Sequence, residues 1–241
     1  MSRVEELRAL HTGVPAGGLP LVLPGPWDAA SARVFEEAGF PALATPSAGI
    51  AAVLGHEDGR TPADEMFAAV TRIVRAVSVP VTADLEGGYG LSANELVARV
   101  LETGAVGLNL EDSDRTDGPR DPREQAERLA EVRAEAGPGL FLNARVDTYL
   151  HGGTLDEAAA RARLYTAAGA DCVFPILAPA EDLPRLRAAG VEGPLNFLAR
   201  PGDPSFAELG RLGATRITFG QGLLLRTLAG TKELAAELLT A

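Results

Sequence analysis

The stretch "LETGAVGLNLE", residues 101–111, passes from a helical pattern through Gly104 directly into an apolar run that ends in a carboxylate. Glycine commonly ends a helix because it adopts the left-handed conformation without strain. The same order of helix, glycine and strand recurs in "EEAGFPALAT" (36–45), "AAGADCVFPI" (167–176), "AAGVEGPLNFL" (188–198) and "RLGATRITFG" (211–220). This repeat is typical of a protein in which parallel strands alternate with helices.

Eight apolar segments are predicted as strands, and helix starts lie between them. The strands cover residues 19–23, 41–45, 79–85, 105–111, 140–146, 170–176, 194–199 and 215–220. N-cap residues with an acid three positions later, or with proline at the first helical position, occur at Thr61, Ser92, Asp121, Thr154 and Ser205. Without any linker-like break, this predicts one domain over residues 1–241, an α/β fold of the (β/α)8 TIM-type barrel class. An open doubly wound sheet is the alternative, but it would suit fewer strands.

Composition excludes several classes of function. The chain has 241 residues, a formal net charge of −11 and a single cysteine. An acidic protein is a poor partner for nucleic acid, and one cysteine cannot form an internal disulfide. The N-terminal "MSRVEELRAL" is charged, and no apolar run is long enough to cross a bilayer. The sequence therefore predicts a cytoplasmic protein with a small-molecule substrate and with no nucleic-acid or membrane partner.

Nucleophiles and soft metal ligands are scarce. Lys232 is the one lysine, and its place in the last helical segment is poor for a Schiff base. His11 and His151 are predicted on the surface. His56 is predicted in a solvated loop, with an acid or base role beside Asp58 as the alternative. Because histidine and cysteine are too few for a zinc site, catalysis must rely on carboxylates, arginines, amides and the backbone.

Polar residues follow the predicted strands at their carboxyl ends, where barrel enzymes place their active sites. In "TADLEGGYG", residues 82–90, Thr82, Asp84 and Glu86 share one face because side chains alternate along a strand. The same alternation places polar side chains at the ends of four other strands: Thr45, Ser47, Asn109, Glu111, Asn143, Arg145 and Asn196.

Several acids and an arginine inside a barrel are costly unless they serve a purpose. A Mg²⁺ ion held by Asp84, Glu86 and Glu111, directly or through water, would offset the repulsion between these carboxylates. The alternative is a structural network in which the acids pair with Arg145 and neighbouring arginines. The pattern alone leaves both interpretations open.

Five motifs at these strand ends, taken in order, give the chain a family resemblance. They are "PGPWDAASAR" (24–33), "ATPSAGIAAVLGHED" (44–58), "TADLEGGYG" (82–90), "GLNLEDS" (107–113) and "NARVDTY" (143–149). Together they resemble the phosphoenolpyruvate mutase/isocitrate lyase superfamily over nearly the whole chain. The resemblance is to the branch similar to carboxyvinyl-carboxyphosphonate phosphorylmutase, which lacks the lid with a catalytic cysteine. It implies a barrel enzyme that uses Mg²⁺, or Mn²⁺, to stabilise an enolate while a C–C or P–C bond breaks.

The resemblance also implies roles for particular residues. Asp84, Glu86 and Glu111 would surround the metal, with Asp58 nearby as a catalytic group. Substrate would be bound by Ser47 and Ala48 through backbone N–H groups, by Asp84, and by Arg145, which would also be catalytic. For Asn196 the strand-end position, and not the resemblance, suggests a hydrogen bond to substrate, with capping of a neighbouring loop as the alternative. The family further implies a homo-oligomer, a dimer or tetramer, in which the tail "LLLRTLAGTKELAAELL" (223–239) packs on another subunit.

One segment departs from the family pattern. Family lyases carry a lid with lysine, cysteine and histidine after the fourth strand, but here "EDSDRTDGPRDP" (111–122) contains none of these. Cys172 lies within a predicted strand, where it is expected to pack rather than react. We therefore expect a Mg²⁺-dependent lyase or decarboxylase for a small α-oxo or α-hydroxy carboxylate, oxaloacetate-like, acting through a metal-stabilised enolate. The alternatives are P–C bond chemistry on a phosphonate such as phosphonopyruvate, or a non-catalytic metabolite-binding barrel.

Overall fold

The structure is a computed structural model that describes residues 1–114 and 118–240, without the side chain of Asp114. Residues 115–117, which belong to the acidic segment 111–122, lie outside the described residues. In the described part of the chain the strands are β1 (Leu21–Val22), β2 (Leu43–Ala44), β3 (Val81–Asp84), β4 (Gly107–Leu110), β5 (Ser113–Asp114), β6 (Gly118–Pro119), β7 (Phe141–Val146), β8 (Cys172–Pro175), β9 (Asn196–Leu198) and β10 (Arg216–Thr218). All eight predicted strands are present, shorter by up to two residues at an end. The sequence did not predict the antiparallel hairpin of β5 and β6.

The parallel strands close into a barrel. Hydrogen-bonded pairing runs β2-β3-β4-β7-β8 in one sheet and β1-β10-β9 in the other. A parallel bridge between Val173 and Leu195 closes one seam between the sheets. At the other seam, the N–H of Ala44 donates to the carbonyl of Pro24 at 3.1 Å. The predicted (β/α)8 barrel is confirmed.

Helices follow the strands in alternation. Over the described ranges they are α1 (Arg3–Thr12), α2 (Ala29–Glu37), α3 (Ser47–Leu54), α4 (Ala63–Ala76), α5 (Ala93–Thr103), α6 (Pro122–Ala136), α7 (Leu155–Ala167), α8 (Leu183–Ala188), α9 (Phe206–Leu212) and α10 (Gly222–Thr240), with 3-10 turns at Tyr149–His151 and Ala180–Asp182. The predicted N-caps at Ser92, Asp121, Thr154 and Ser205 are confirmed. At α4 the N-cap is Pro62, one residue beyond the predicted Thr61. No helix in this part of the chain is long and apolar enough to cross a bilayer.

The two faces of the barrel strands carry different residue types. The outward face packs against the helices through the main core, which includes Leu43, Val81, Ala83, Leu108, Leu142, Ala144, Val173, Phe197 and Ile217. The inward face carries a smaller apolar cluster near the start of the strands: Leu7, Leu21, Leu23, Ala42, Ala44, Phe141 and Cys172. Further along, strand alternation places polar side chains inside the barrel: Thr82, Asp84, Asn109, Asn143, Arg145, Asn196, Arg216 and Thr218. Stability therefore comes mainly from the outward face, while chemistry is concentrated on the inward face.

Helix α1 closes the amino end of the barrel. Leu7 is fully buried in the inward cluster, and the ring of His11 stacks on Phe141 with centroids 4.1 Å apart. His11 Nδ1 lies 2.7 Å from the Leu7 carbonyl, to which it donates. The prediction of a surface position for His11 is wrong, because α1 folds across the barrel and leaves this ring only 3% exposed. Burial lowers the pKa of His11 from 6.5 to about 3, and the charge of Arg216 acts in the same direction.

This buried imidazole predicts loss of stability in mild acid. Below pH 6.5 the His11 imidazole is protonated in the unfolded chain, whereas in the folded chain it stays neutral until about pH 3. The free energy of unfolding therefore falls as the pH is lowered from 6.5 to about 3. His11→Phe keeps a ring on Phe141 but removes the titration. We expect the wild type to lose up to roughly 1.4 kcal/mol per pH unit relative to the variant, measured by urea unfolding between pH 7 and 4. Parallel stability curves for the two proteins would contradict this account.

Candidate active site

The carboxyl ends of the strands surround one open pocket of about 1020 Å³. Barrel enzymes bind their substrates at this end. Seven of the predicted site residues line the pocket: Ser47, Ala48, Asp58, Asp84, Glu86, Glu111 and Arg145. The loops and strands of the fold thus bring together residues that are up to about a hundred positions apart in sequence.

Asp84, the last residue of β3, is held by the start of α3. Its Oδ2 accepts hydrogen bonds from the Ser47 hydroxyl at 2.9 Å and from the Ser47 N–H at 3.4 Å. Its backbone N–H donates to the Thr45 hydroxyl at 3.3 Å. The other carboxylate oxygen, Oδ1, is buried and has no hydrogen-bond partner among the described residues. One half of this carboxylate is therefore fixed, and the other half is free to accept a ligand.

The turn after β3 holds Glu86 in an unusual backbone conformation. Glu86 has φ 53° and Tyr89 has φ 56°, in the left-handed region that non-glycine residues seldom adopt. The Glu86 carbonyl accepts the N–H of Glu111 at 2.9 Å, which ties the turn to the end of β4. Burial, together with the charges of Glu86 and Asp84, raises the pKa of the Tyr89 hydroxyl. Such strain commonly marks a functional turn.

The guanidinium group of Arg145, on β7, forms ion pairs with the carboxylates of Glu111 and Asp147. One terminal nitrogen pairs with Glu111, while Nε lies 2.6 Å and the other terminal nitrogen 3.3 Å from the carboxylate of Asp147. Burial lowers the pKa of Arg145, but Glu111 and Asp147 outweigh it, so the pKa lies above its ordinary value. Burial raises the pKa of Glu111 well above its ordinary value, with Arg145 opposing and Asp84 adding to the rise.

A layer of supporting residues fixes Asp147. The Ser113 hydroxyl donates to its carboxylate, and its backbone N–H donates to Asp112 Oδ1 at 2.7 Å. Asp112 Oδ2 in turn accepts from the Tyr165 hydroxyl at 2.7 Å and from Arg161 at 3.0 Å. Burial raises the pKa of Asp112, although the Tyr165 hydrogen bond opposes this rise. Asp112 and Asp147 are both 0% exposed, so they position Arg145 without facing the pocket themselves.

A second arginine lies deeper in the barrel. Arg216 on β10 is 0% exposed, and in the described structure none of its guanidinium nitrogens has a hydrogen-bond acceptor. The positive charge of Arg216 interacts electrostatically with Asp84, His11 and Cys172. The charge of Asp84 therefore acts on both guanidinium groups, of Arg145 and Arg216.

Ala48 lies beside Ser47 at the first turn of α3, as predicted, whereas Asn196 is the predicted site residue that does not line the pocket. Asn196 is 1% exposed and exchanges hydrogen bonds with the Thr218 hydroxyl at 3.1 and 3.2 Å, so its side chain is engaged below the pocket lining. His56 lies 3.0 Å from Glu65. Cys172 is 2% exposed, and burial raises the pKa of its thiol to about 12, as expected for a packing residue.

Sequence reasoning missed several residues of the site. His151 is exposed, as predicted, but it also lines the pocket, together with Arg60 from the loop after α3. Ser113 ends the motif "GLNLEDS" but was assigned no role, and the buried Arg216 lies in none of the five motifs. Strand alternation could have found Arg216, because it shares a face with Thr218, but the chain pattern "TRITFG" does not reveal which face is inward.

The sequence pattern of the phosphoenolpyruvate phosphomutase family matches residues 7–239 of this chain. The chain belongs to this family. The resemblance found from the strand-end motifs to the phosphoenolpyruvate mutase/isocitrate lyase superfamily is thereby confirmed.

Relatives of this phosphomutase-family chain have different activities in their names. A 2-methylisocitrate lyase of Halalkalibacterium halodurans is 32% identical over 186 residues, which are 73% of this chain and 61% of that protein. An oxaloacetate decarboxylase of Bradyrhizobium sp. is 32% identical over 229 residues, which are 90% of this chain and 77% of that protein. The crystal structure of a proposed phosphonomutase from Burkholderia cenocepacia superposes with a TM-score of 0.89 at 38% identity and covers 98% of both chains. These three relatives are thus named as two lyases and one mutase.

Proposed function

We propose that this protein is a Mg²⁺-dependent lyase or decarboxylase that acts on a small α-oxo or α-hydroxy carboxylate of the oxaloacetate type. One observation carries the proposal: Asp84 presents a buried, unpartnered carboxylate oxygen in a pocket that Glu86 and Glu111 also line. Buried polar atoms normally have a partner, and a hard divalent cation is a suitable partner for a carboxylate oxygen.

The residues present fit a hydrated cation better than a fully coordinated one. In the part of the chain that the structure describes, no three His, Cys, Asp or Glu side chains are gathered closely enough to hold an ion directly. Mg²⁺ usually keeps several waters, so Asp84 would bind directly and Glu86 and Glu111 through water, with Asp58 near this shell. Mn²⁺ would fit the same oxygens. When bound, the cation supplies a Lewis acid that stabilises negative charge on a substrate oxygen.

The unpartnered oxygen of Asp84 also weighs against the alternative interpretation of the sequence. A structural network of ion pairs alone, the alternative interpretation of the sequence, leaves Asp84 Oδ1 unpartnered.

The first turn of α3 is placed to bind the substrate carboxylate. N–H groups at the start of a helix have no acceptor within the helix and carry a partial positive charge, so they favour anions. Ser47 and Ala48 occupy this position and line the pocket. Because the Ser47 N–H is already shared weakly with Asp84, at 3.4 Å, the N–H of Ala48 is the better donor.

Arg145 would neutralise a second substrate oxygen. A guanidinium has five N–H donors, and three of those of Arg145 are used by Glu111 and Asp147. The remaining two are available to a substrate in the pocket. Since both carboxylates hold the guanidinium in place, binding would cost little side-chain entropy.

Decarboxylation suits this site better than cleavage of an isocitrate-like substrate. Cleavage leaves a carbanion that needs a positioned acid, and such an acid typically contributes about 10²–10⁴-fold. The acidic segment 111–122 contains no lysine, cysteine or histidine, and Cys172 is buried in the barrel. After loss of CO₂, by contrast, the proton can come later from solvent through the open mouth of the pocket.

P–C bond chemistry on a phosphonate such as phosphonopyruvate is the second candidate. The 38% identity and full-length superposition with the proposed phosphonomutase favour it. Release of phosphate or formation of a phosphonate would distinguish it from release of CO₂.

Divalent-ion binding through Asp84 is the first test. Calorimetry should detect Mg²⁺ binding that is strengthened by oxalate, an enolpyruvate mimic. Asp84→Ala should abolish this binding without lowering the melting temperature, because it removes one of several mutually repelling carboxylates. Asp64→Ala, at an exposed acid on α4, is the matched control and should bind normally. Absence of Mg²⁺ binding by the wild type, with oxalate present, would refute the metal assignment.

Substrate preference is the second test. With Mg²⁺ we expect CO₂ release from oxaloacetate and little or no turnover of isocitrate or 2-methylisocitrate. Cys172→Ser should keep nearly full activity, since its thiol is buried and protonated. Efficient cleavage of isocitrate would overturn the proposal. Inactivity toward every oxo-acid, combined with ligand binding, would favour a metabolite-binding barrel.

We also propose a homo-oligomer, assembled through α10. Of its 19 residues only Leu224 is buried, whereas a barrel helix normally packs on its own sheet. Five leucines are 50–89% exposed along it: Leu225, Leu228, Leu234, Leu238 and Leu239. An apolar surface of this kind favours burial against another subunit.

Light scattering at micromolar concentration should give the mass of a dimer or tetramer. Replacing Leu228 and Leu234 together by glutamate should lower that mass by charging the proposed interface. Leu19→Glu, at a leucine that is 71% exposed before β1, is the matched control and should leave the mass unchanged. A wild-type monomer would contradict the oligomer proposal.

A further inference from the structure

A second layer of inward side chains lies beneath the pocket. Each of its members stands two positions before a pocket-lining residue of the same strand, so alternation places it on the same face, roughly 7 Å deeper in the barrel. We call this set the lower layer; every member is at most 2% exposed, and the members are Thr82, Asn143, Cys172, Asn196 and Arg216. The lower layer lies between the pocket and the apolar cluster at the amino end of the barrel, to which Cys172 also belongs.

Arg216 is the charged member of the lower layer. Its guanidinium group has no hydrogen-bond acceptor among the described residues, and each of its nitrogens is shielded from solvent. Burial raises the pKa of the Cys172 thiol to about 12, so this neighbour is protonated and uncharged at neutral pH. Burial likewise lowers the pKa of His11 to about 3, so its ring is also uncharged. The lower layer therefore carries one positive charge that none of its other members neutralises.

The charge of Arg216 acts on the pocket above it. Burial lowers the pKa of Arg216, but an arginine side chain stays protonated in proteins. Asp84, which lines the pocket, interacts electrostatically with this guanidinium group. A charge that is shielded from water and from counter-ions is screened much less than a surface charge. The electric field of Arg216 therefore extends into the pocket, where it repels cations and attracts anions.

Folding stability does not account for an arginine at this position. The inward layers of such a barrel are usually filled by branched apolar side chains. A buried charge without a partner is unfavourable, and an apolar side chain of similar volume would avoid this cost. The charge of Arg216 thus points to a role in the pocket.

We infer that Arg216 is a positioning residue that acts through its charge, without touching the ligand. It weakens binding of a divalent cation alone at Asp84, and it strengthens binding of an anion to the pocket once the cation is bound. This inference rests on the proposed metal and substrate site. Mg²⁺ and oxalate carry equal and opposite charges, so the effects of Arg216 on the two ions nearly cancel when both are bound. Arg216 thereby favours loading of the pocket with the pair over loading with the cation alone.

Arg216→Met tests the charge, because methionine keeps an unbranched side chain but is neutral. In calorimetry, Mg²⁺ alone should bind on the order of tenfold more tightly than to the wild type. Oxalate should bind to the Mg²⁺-saturated variant on the order of tenfold more weakly. The overall affinity for the pair should change little. A structural defect would weaken both steps, so opposite changes identify an effect of the charge.

Two further variants serve as controls. Arg216→Lys keeps the charge and should return both affinities toward the wild-type values. Arg187→Met is the matched control, because Arg187 is a partly buried arginine on α8 that donates to the carbonyls of Gly213, Val191 and Gly193. Arg187→Met should lower the melting temperature and leave both affinities unchanged. Arg216→Met should melt at or above the wild-type temperature, since it removes a buried charge without a partner.

The outcomes separate this inference from the proposed function. If the wild type binds Mg²⁺ and oxalate, but Arg216→Met shifts both affinities in the same direction or shifts neither, the inference fails and the proposed function stands. If Arg216→Met melts well below the wild type or does not fold, Arg216 has a structural role and the inference fails as well. If the wild type binds neither Mg²⁺ nor oxalate, both proposals fail.

Discussion

The ion pairs of Arg145 are the interaction on which the pocket depends. Glu111, Asp84, Glu86 and Asp147 are carboxylates crowded at the end of a low-dielectric barrel, where like charges repel strongly. Arg145 touches Glu111 and Asp147, and it links the ends of β4 and β7. Removing one partner of a buried pair typically costs about 3–5 kcal/mol, because the other charge is left uncompensated. The geometry of the site therefore depends on this guanidinium and on the residues behind it.

Those residues lie outside the pocket but determine what it can do. One carboxylate oxygen of Asp112 accepts hydrogen bonds from Tyr165 and Arg161, and the other accepts the backbone N–H of Asp147, which fixes the position of Asp147. A guanidinium fixed in this way does not have to reorganise when a substrate oxygen arrives, which is the condition for effective electrostatic stabilisation. The network thus connects a helix on the outside of the barrel, α7, to the charge that faces the substrate.

The barrel separates stability from chemistry. Its outward face and helices form the large apolar core, whereas its inward face beyond the small cluster at α1 is polar. Polar groups can be kept inside because the pocket opens to solvent at one end, and α1 covers the other. Three non-glycine residues with positive φ, Glu86, Tyr89 and Leu177, all follow strand ends around the pocket. In the described chain the strain is therefore concentrated where ligands would bind, and the packed core does not carry it.

The sequence by itself determined the barrel, because a glycine-ended helix followed by an apolar run is a local signal that repeats with each β/α unit. It also determined which acids share a face, since Asp84 and Glu86 follow from strand alternation alone. Only the tertiary structure decided that His11 is buried. The sequence of α1 does not indicate that this helix covers the open end of the barrel. The structure also decided that Asn196 is hydrogen-bonded to Thr218, that Asp84 keeps one oxygen unpartnered, and that Phe174, Ile176 and Leu198 line the same pocket as the acids. These features involve residues that are far apart in the chain. The distances between their side chains, and the directions in which the side chains point, are set by closure of the barrel and not by any short sequence pattern.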